Sequence, residues 1–290
     1  MTEVNSNVLT EHEISRYNEA GFLTAQWRLP DDLLARIRGT VGRLIAANPH
    51  IRPEQLAVPH VPGGAGGNIR SDQTLRDELL ACAHAPEILG RLEQLIGPDI
   101  MLWSSQVFHK PPSDGMAVPW HQDGEYWPLR PHANCTVWIA LDPSTRENGC
   151  LRVIPGSHRN GLLPHSRSEN KELALDAAID LSTLDESSAI DVELQPGEIS
   201  FHDVFLVHGS EANRSPKPRS AFAIRYMPAT TLYDRSVPDY VTNNGMVMHW
   251  ADRPIYLVRG RNRHPENRCQ VWEQAEPEVQ QGETLNEAKR

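Results

Sequence analysis

The chain has 290 residues, of which 39% are apolar and 23% charged, enough to bury a full-sized core and too apolar for wholesale disorder. Its formal net charge of −10 lacks the basic excess of a phosphate-tracking protein, so no nucleic-acid partner is expected. Cys82, Cys135, Cys150 and Cys269 lie far apart without a Cys-x-x-Cys pair, which excludes a zinc ribbon and a disulfide framework.

Met1 to Thr10 is polar, with no apolar stretch behind a basic start, and nothing approaches the roughly 18 consecutive apolar residues of a membrane span. A cytoplasmic protein without a membrane partner is expected. Thr10-Glu11-His12-Glu13 has capping-box spacing, and Gly21 offers a stop, which marks a short first helix. Pro30 and Asp31 open a second helix, in which Leu33, Leu34, Ile37, Val41, Leu44 and Ile45 form one apolar stripe fit to pack on a sheet. The glycine-rich Pro62 to Gly67 is a loop. A third helix runs from about Pro86 to Leu95, before Gly97 and Pro98.

From Ile100 the pattern changes to short strand-like runs: Met101 to Lys110, Cys135 to Leu141, Leu151 to Ile154, Ile190 to Leu194, Ile199 to Val207 and Ser220 to Tyr226. This is the spacing of an all-β sandwich or barrel. Pro164 to Glu186 is polar, of weak helical content at best, and long enough for a lid or an insertion. The acidic, Gln-rich stretch from Glu273 is expected to fray.

The chemistry concentrates at His121-Gln122-Asp123. In an extended segment the first and third side chains share a side, so the His121 imidazole and Asp123 carboxylate can meet one metal while Gln122 faces away. His208, in a later strand-like run, would complete a two-histidine, one-carboxylate triad, the nitrogen and oxygen set suited to non-haem Fe(II) with open coordination positions. A bare His-x-Asp is common, and thirteen histidines guarantee a later partner, so those residues alone also admit a chance match or a zinc hydrolase. Eleven residues past His208, Arg219 follows a Pro/Ser-rich turn, and its planar fork suits the far carboxylate of a dicarboxylate co-substrate. A surface arginine is the plain alternative.

His121-Gln122-Asp123, the run Cys150-Leu151-Arg152-Val153-Ile154-Pro155-Gly156-Ser157-His158 behind Glu147-Asn148-Gly149, and His208-Gly209-Ser210 with Arg219 together resemble the phytanoyl-CoA dioxygenase family of Fe(II)/2-oxoglutarate oxygenases, over about Leu9 to Pro228. The resemblance implies a mainly β protein with N-terminal helices, built on a double-stranded β-helix of the jelly-roll, cupin-like kind. It implies one domain over residues 1–290: helices over about 10–97, a barrel core over about 100–228 and a C-terminal extension, 229–290, without a recognisable role. It implies Fe(II), 2-oxoglutarate and O2 as cofactor and co-substrates, with His121, Asp123 and His208 on the metal. Arg219 and Ser210 would hold the distal carboxylate of 2-oxoglutarate, and Trp138 would stand beside it unless it is plain core.

Thr136 shares the strand parity of Trp138, and Gln106 that of Phe108 and Lys110, so each can face the same cavity, with Gln106 a further co-substrate contact. Tyr126, Trp127, Asn68 and Arg225 are the candidate substrate contacts, joined by Glu125 and Arg70 as polar groups for the mouth. His202 is expected on the His208 face in a supporting role, and Pro155 to His158 as a structural turn. The function that follows is hydroxylation of a small molecule with release of succinate and CO2. The competing reading is a non-catalytic barrel that keeps the scaffold and binds a metal or ligand. The loop Gly63-Gly64-Ala65-Gly66-Gly67 fails dinucleotide-binding spacing, which makes a dehydrogenase the weakest of the readings.

Overall fold

The computed structural model describes residues 8–273 apart from 181, 183, 243 and 244. The expectations for Met1 to Thr10 and for the stretch from Glu273 fall largely outside them. No helix of the described residues is long and apolar enough to cross a membrane.

Helix α1 (Glu11–Ala20) starts on the expected capping box: Glu13 N–H donates to the Thr10 hydroxyl at 3.2 Å, and Thr10 N–H donates back to the Glu13 carboxylate at 2.9 Å. It stops at Gly21, where φ is +76° and a Cβ would fall 2.5 Å from His158 Nδ1, so both backbone and packing require glycine. Helix α2 (Asp31–Ala47) buries Leu33, Leu34, Ile37, Val41 and Leu44. Helix α4 (Pro86–Ile96) falls where the third helix is expected. Between them stands α3 (Gln73–Ala83), absent from the sequence reading, although Asp72 caps Leu75 N–H at 2.8 Å ahead of a Leu75, Leu79, Leu80 face. Also unanticipated is the strand Phe22–Arg28, wedged between α1 and α2.

Two sheets carry the rest. The larger runs in the order Phe22–Arg28, Glu198–Asp203, Cys135–Ala140, Arg219–Pro228, Ile100–Lys110, Ile255–Arg259, Cys269–Gln270, with Leu56–Ala57 also on the Ile100–Lys110 strand. The smaller runs Ile190–Val192, Leu151–Val153, His208–Ser210, Val118–His121. One face of the large sheet (Val107, Val137, Ile139, Phe201, Phe222, Ile224) packs on the helices. The other (Trp138, Ala140, Ala221, Ala223) packs on Leu151 and Val153 of the small sheet. Alternation along each strand thus sorts side chains between helix layer and interior, giving the expected double-stranded β-helix with buttressing helices.

Two expectations need correction. The run Ile199 to Val207 is not one strand: it ends at Asp203, where a turn closed by Leu206 N–H on the Asp203 carbonyl at 3.1 Å carries the chain to the small sheet. His202 and His208 therefore face each other across the two sheets instead of sharing one strand. The stretch 164–186 contains a small hairpin, His165–Arg167 with Ala177–Ile179.

Candidate active site

His121 ends the strand Val118–His121 and pairs in register with His208, the first residue of His208–Ser210, which brings the two rings to a centroid distance of 4.2 Å. Each imidazole is fixed by its own chain: His121 Nδ1–H donates to the Pro119 carbonyl and His208 Nδ1–H to the Leu206 carbonyl, both at 2.9 Å. That tautomer leaves each Nε2 with a free lone pair. Asp123 follows in the turn, and its Oδ1 lies 3.8 Å from His121 Nε2. The ligand atoms of His121, Asp123 and His208 all fall within 4.8 Å of one another, and all three residues are buried.

The other carboxylate oxygen is held in place. Thr136 Oγ1–H donates to Asp123 Oδ2 at 3.2 Å, Asn134 Nδ2 donates to Thr136 Oγ1 at 3.1 Å, and Trp103 Nε1–H donates to Asn134 Oδ1 at 2.7 Å. His202 Nε2 stands 3.7 Å from the same Oδ2. Burial works to raise the Asp123 pKa; the neighbouring His202, with the fields of His208, Arg225 and His121, overrides it and holds the carboxyl well below the ordinary range. Burial lowers both His121 and His208, which keeps them neutral, the state a metal ligand requires. Gln122 faces away as expected, donating to the carbonyls of Gly161 and Phe205 and accepting from Leu163 N–H at 2.7 Å. Ser157 accepts from Val207 N–H at 2.9 Å, so the Pro155 to His158 turn braces the His208 strand.

Deeper in, Arg219 is buried at the start of its strand, donating to the carbonyls of Gly149 at 2.8 Å and Phe108 at 3.3 Å, with Nε lacking a partner. Its guanidinium lies 5.4 Å over Trp138. Lys110, directly across the ladder, donates to Ser210 Oγ at 2.7 Å and to the Glu211 carbonyl. Burial pulls Arg219 down to about 10, and burial with the adjacent Arg219 charge lowers Lys110 strongly. Two buried basic side chains and a hydroxyl gathered on one wall are groups of the kind that can receive a carboxylate. The sequence reading placed Lys110 on the inward parity, with Arg219 as the first choice for the distal carboxylate.

The cavity encloses about 770 Å³ of space, its open mouth included. Its lining contains Gln106, Thr136, Trp138, Ser210, Arg219, Arg225, Tyr126 and Trp127 along with the triad. Asn68 does not join them: it is exposed just after the glycine-rich loop, and Arg70 is exposed as well. Thr136 spends its hydroxyl proton on Asp123, and Gln106 accepts from Arg225 through Oε1 while donating to the Glu54 carbonyl at 3.0 Å. Met246, Met248 and Trp250, from the C-terminal stretch without an expected role, supply much of the apolar wall.

A double-stranded β-helix holding two neutral imidazoles and one carboxylate, with a basic receptor below them, defines a mononuclear non-haem iron oxygenase. The comparisons agree. The family described as Phytanoyl-CoA dioxygenase (PhyH) matches residues 17–221, and the chain belongs to it. Peroxisomal phytanoyl-CoA dioxygenase of Bos taurus is 28% identical over 242 residues, covering 79% of this chain and 71% of that protein. A probable alpha-ketoglutarate-dependent hypophosphite dioxygenase of Stutzerimonas stutzeri is 33% identical over 160 residues, 53% of this chain and 54% of that protein. Among solved structures, the apo form of the non-heme monooxygenase ThoJ superposes with a TM-score of 0.65 at 25% identity, covering 89% of this chain and 88% of that one. The protein is an Fe(II)- and 2-oxoglutarate-dependent dioxygenase.

Proposed function

We propose that His121, Asp123 and His208 hold Fe(II), that Arg219 with Ser210 and Lys110 receives the distal carboxylate of 2-oxoglutarate, and that the enzyme hydroxylates a small molecule at the cavity mouth. The observation that carries this reading is the tying of both Nδ1–H groups to backbone carbonyls, which turns both Nε2 lone pairs towards Asp123. With O2, the iron supplies oxidative decarboxylation of 2-oxoglutarate to succinate and CO2, coupled to insertion of one oxygen atom into a C–H bond. The chain's own part is placement. Along the His208 strand, Ser210 lies about 7 Å beyond His208, close to the span of a five-carbon diacid, so the receptor sits where the far end of 2-oxoglutarate would fall. Trp138 flanks that path, and Thr136 and His202 keep the Asp123 carboxylate aimed. Tyr126, Trp127 and Arg225 are assigned to the substrate, with Met246, Met248 and Trp250 behind them.

The chain is read as one oxygenase domain, because segment 229–273 supplies cavity wall. The bovine relative is peroxisomal by name, and fractionation or imaging of a tagged protein tests the expected cytoplasmic location. The test of function is aerobic incubation of iron-loaded protein with 2-oxoglutarate and a metabolite mixture. Succinate release with a product heavier by one oxygen is expected; well-folded, iron-loaded protein that releases neither overturns the reading.

A further inference from the structure

The Arg219–Pro228 strand carries a second inward arginine. Arg219, Ala221, Ala223 and Arg225 share one face, which puts the two arginine Cα atoms about 20 Å apart. Their surroundings differ. Arg219 reaches Gly149 and Trp138, whereas the Arg225 guanidinium lies 5.0 Å over Trp127 and shares a single acceptor, Gln106 Oε1, through both Nη atoms at a long 3.3 Å. Arg225 Nε has no partner, although the residue is only 7% exposed. Behind the Trp250 wall lies a second buried cation. Arg253 is 5% exposed, sits 4.5 Å over the Trp250 ring, and has no partner for either Nη. Among the described residues neither arginine is hydrogen-bonded to a carboxylate. Asp239, whose field reaches Arg253, is half-exposed and engaged by His249 and by Trp250 N–H.

A buried charge without a counter-ion is strongly unfavourable, so an arrangement of two implies an anion that arrives later. The cofactors do not supply it. Asp123 and the 2-oxo-acid end of 2-oxoglutarate would balance Fe(II), and the distal carboxylate would face Arg219 and Lys110 together, so neither group is available to Arg225 and Arg253. The walls between them, Trp127, Trp250, Met246 and Met248, are apolar. We infer that the primary substrate is an apolar-bodied organic acid whose carboxylate docks on Arg225, drawn in by the added field of Arg253, with its body against Trp127, Trp250 and the two methionines. This rests on the reading of the site as an iron and 2-oxoglutarate centre, and it makes Arg225 a specificity determinant. Free Nε–H beside Nη–H offers the edge that a carboxylate grips with two parallel hydrogen bonds.

The test uses full-length, iron-loaded protein under argon with saturating 2-oxoglutarate, so that the Arg219 receptor is filled. Straight-chain carboxylates of graded length, 4-phenylbutyrate, and the primary amides of each are titrated, following tryptophan fluorescence from the cavity wall. An acid is expected to bind at least about tenfold more tightly than its amide, the scale of one charge-assisted pair. Arg225→Gln should erase that preference and leave 2-oxoglutarate affinity unchanged, and Arg225→Lys should restore part of it. Equal binding of acid and amide by the unaltered protein, or binding of neither, overturns the inference without needing any variant to fold. Loss of 2-oxoglutarate affinity in Arg225→Gln also overturns it, because Arg225 would then serve the co-substrate. Failure of the unaltered protein to bind 2-oxoglutarate at all would instead remove the underlying reading of the site.

Discussion

Replacing Arg219 with alanine removes the guanidinium from the floor of the cavity and leaves the triad untouched. Removing one partner of a buried charge pair raises the free energy of the complex by about 2–5 kcal/mol, roughly thirtyfold to several thousandfold in affinity. Lys110 remains, hydrogen-bonded to Ser210 at 2.7 Å, and still presents a donor to the incoming carboxylate. The expected loss is therefore in the lower part of that range, about 30- to 300-fold in 2-oxoglutarate affinity. Folding stability falls as well, since the Gly149 and Phe108 carbonyls lose their donors, at about 1 kcal/mol each. Calorimetric titration of 2-oxoglutarate into iron-loaded protein under argon measures the first effect, and urea unfolding the second. Metal affinity should not change, because Arg219 contacts none of the ligands. A folded, iron-loaded Arg219→Ala protein that binds 2-oxoglutarate as tightly as the parent would refute the assignment and pass the role to Lys110 or Arg225.

Thr136→Val deletes the hydrogen bond to Asp123 Oδ2 and strands Asn134 Nδ2, so metal affinity should fall about tenfold or more in a competition titration against a chelator; unchanged affinity would mean the relay does not orient the carboxylate. Asp123→Ala should weaken iron binding and nearly abolish succinate release, and Asp123→Glu, which moves the oxygen by one methylene, should be poor too. With Asp123 occupying an iron position, high chloride should leave the hydroxylated product dominant; a chlorinated main product would withdraw Asp123 as a ligand. His60 is buried beside Ser105, and burial pulls its imidazole from 6.5 to about 3. It is neutral in both states above pH 6.5; below that the unfolded chain takes up a proton that the folded chain refuses. Stability is then lost between pH 6.5 and about 3 at up to about 1.4 kcal/mol per pH unit, and His60→Gln should flatten the urea-unfolding profile by that slope.

What the sequence reveals here is what short-range periodicity encodes. The two-residue strand period places Thr136 with Trp138 and Gln106 with Phe108, and each pair lines the cavity, while Asp123 joins His121 there from the turn that follows the strand. The capping box at Thr10 and the glycine at 21 mark both ends of α1 in the local sequence. Legibility ends where distant segments meet. Nothing near Asn134 marks it as the link between Trp103 and Thr136, because that chain depends on neighbouring strands and a turn. The Met246, Met248 and Trp250 wall belongs to a stretch whose local pattern is only apolar, and Asn68 fails because the chain leaving a glycine-rich loop can point its side chains either way. His202 and His208 do meet, at a ring distance of 4.9 Å, but through a corner between sheets that alternation does not foresee.

The division between strand and loop also explains how the site separates constancy from choice. His208, Ser210, Arg219 and Lys110 all project from strands whose ladder hydrogen bonds fix their spacing, and the Arg219–Pro228 strand is buried almost throughout. The substrate walls come from connections outside the two main sheets. Tyr126 stacks on Tyr240 at 4.4 Å, the Tyr240 hydroxyl donates to Asp176 at 2.8 Å, and Arg167 binds the same carboxylate at 2.7 Å, so the 165–179 hairpin and the C-terminal stretch close the mouth as one connected rim. Residues in that rim can change shape without moving a metal ligand or the carboxylate receptor. Arg225 is the exception: it stands on the buried Arg219–Pro228 strand, so under the proposed reading the anionic group would be held at a set distance from the metal site while the body of the molecule is left to the loops.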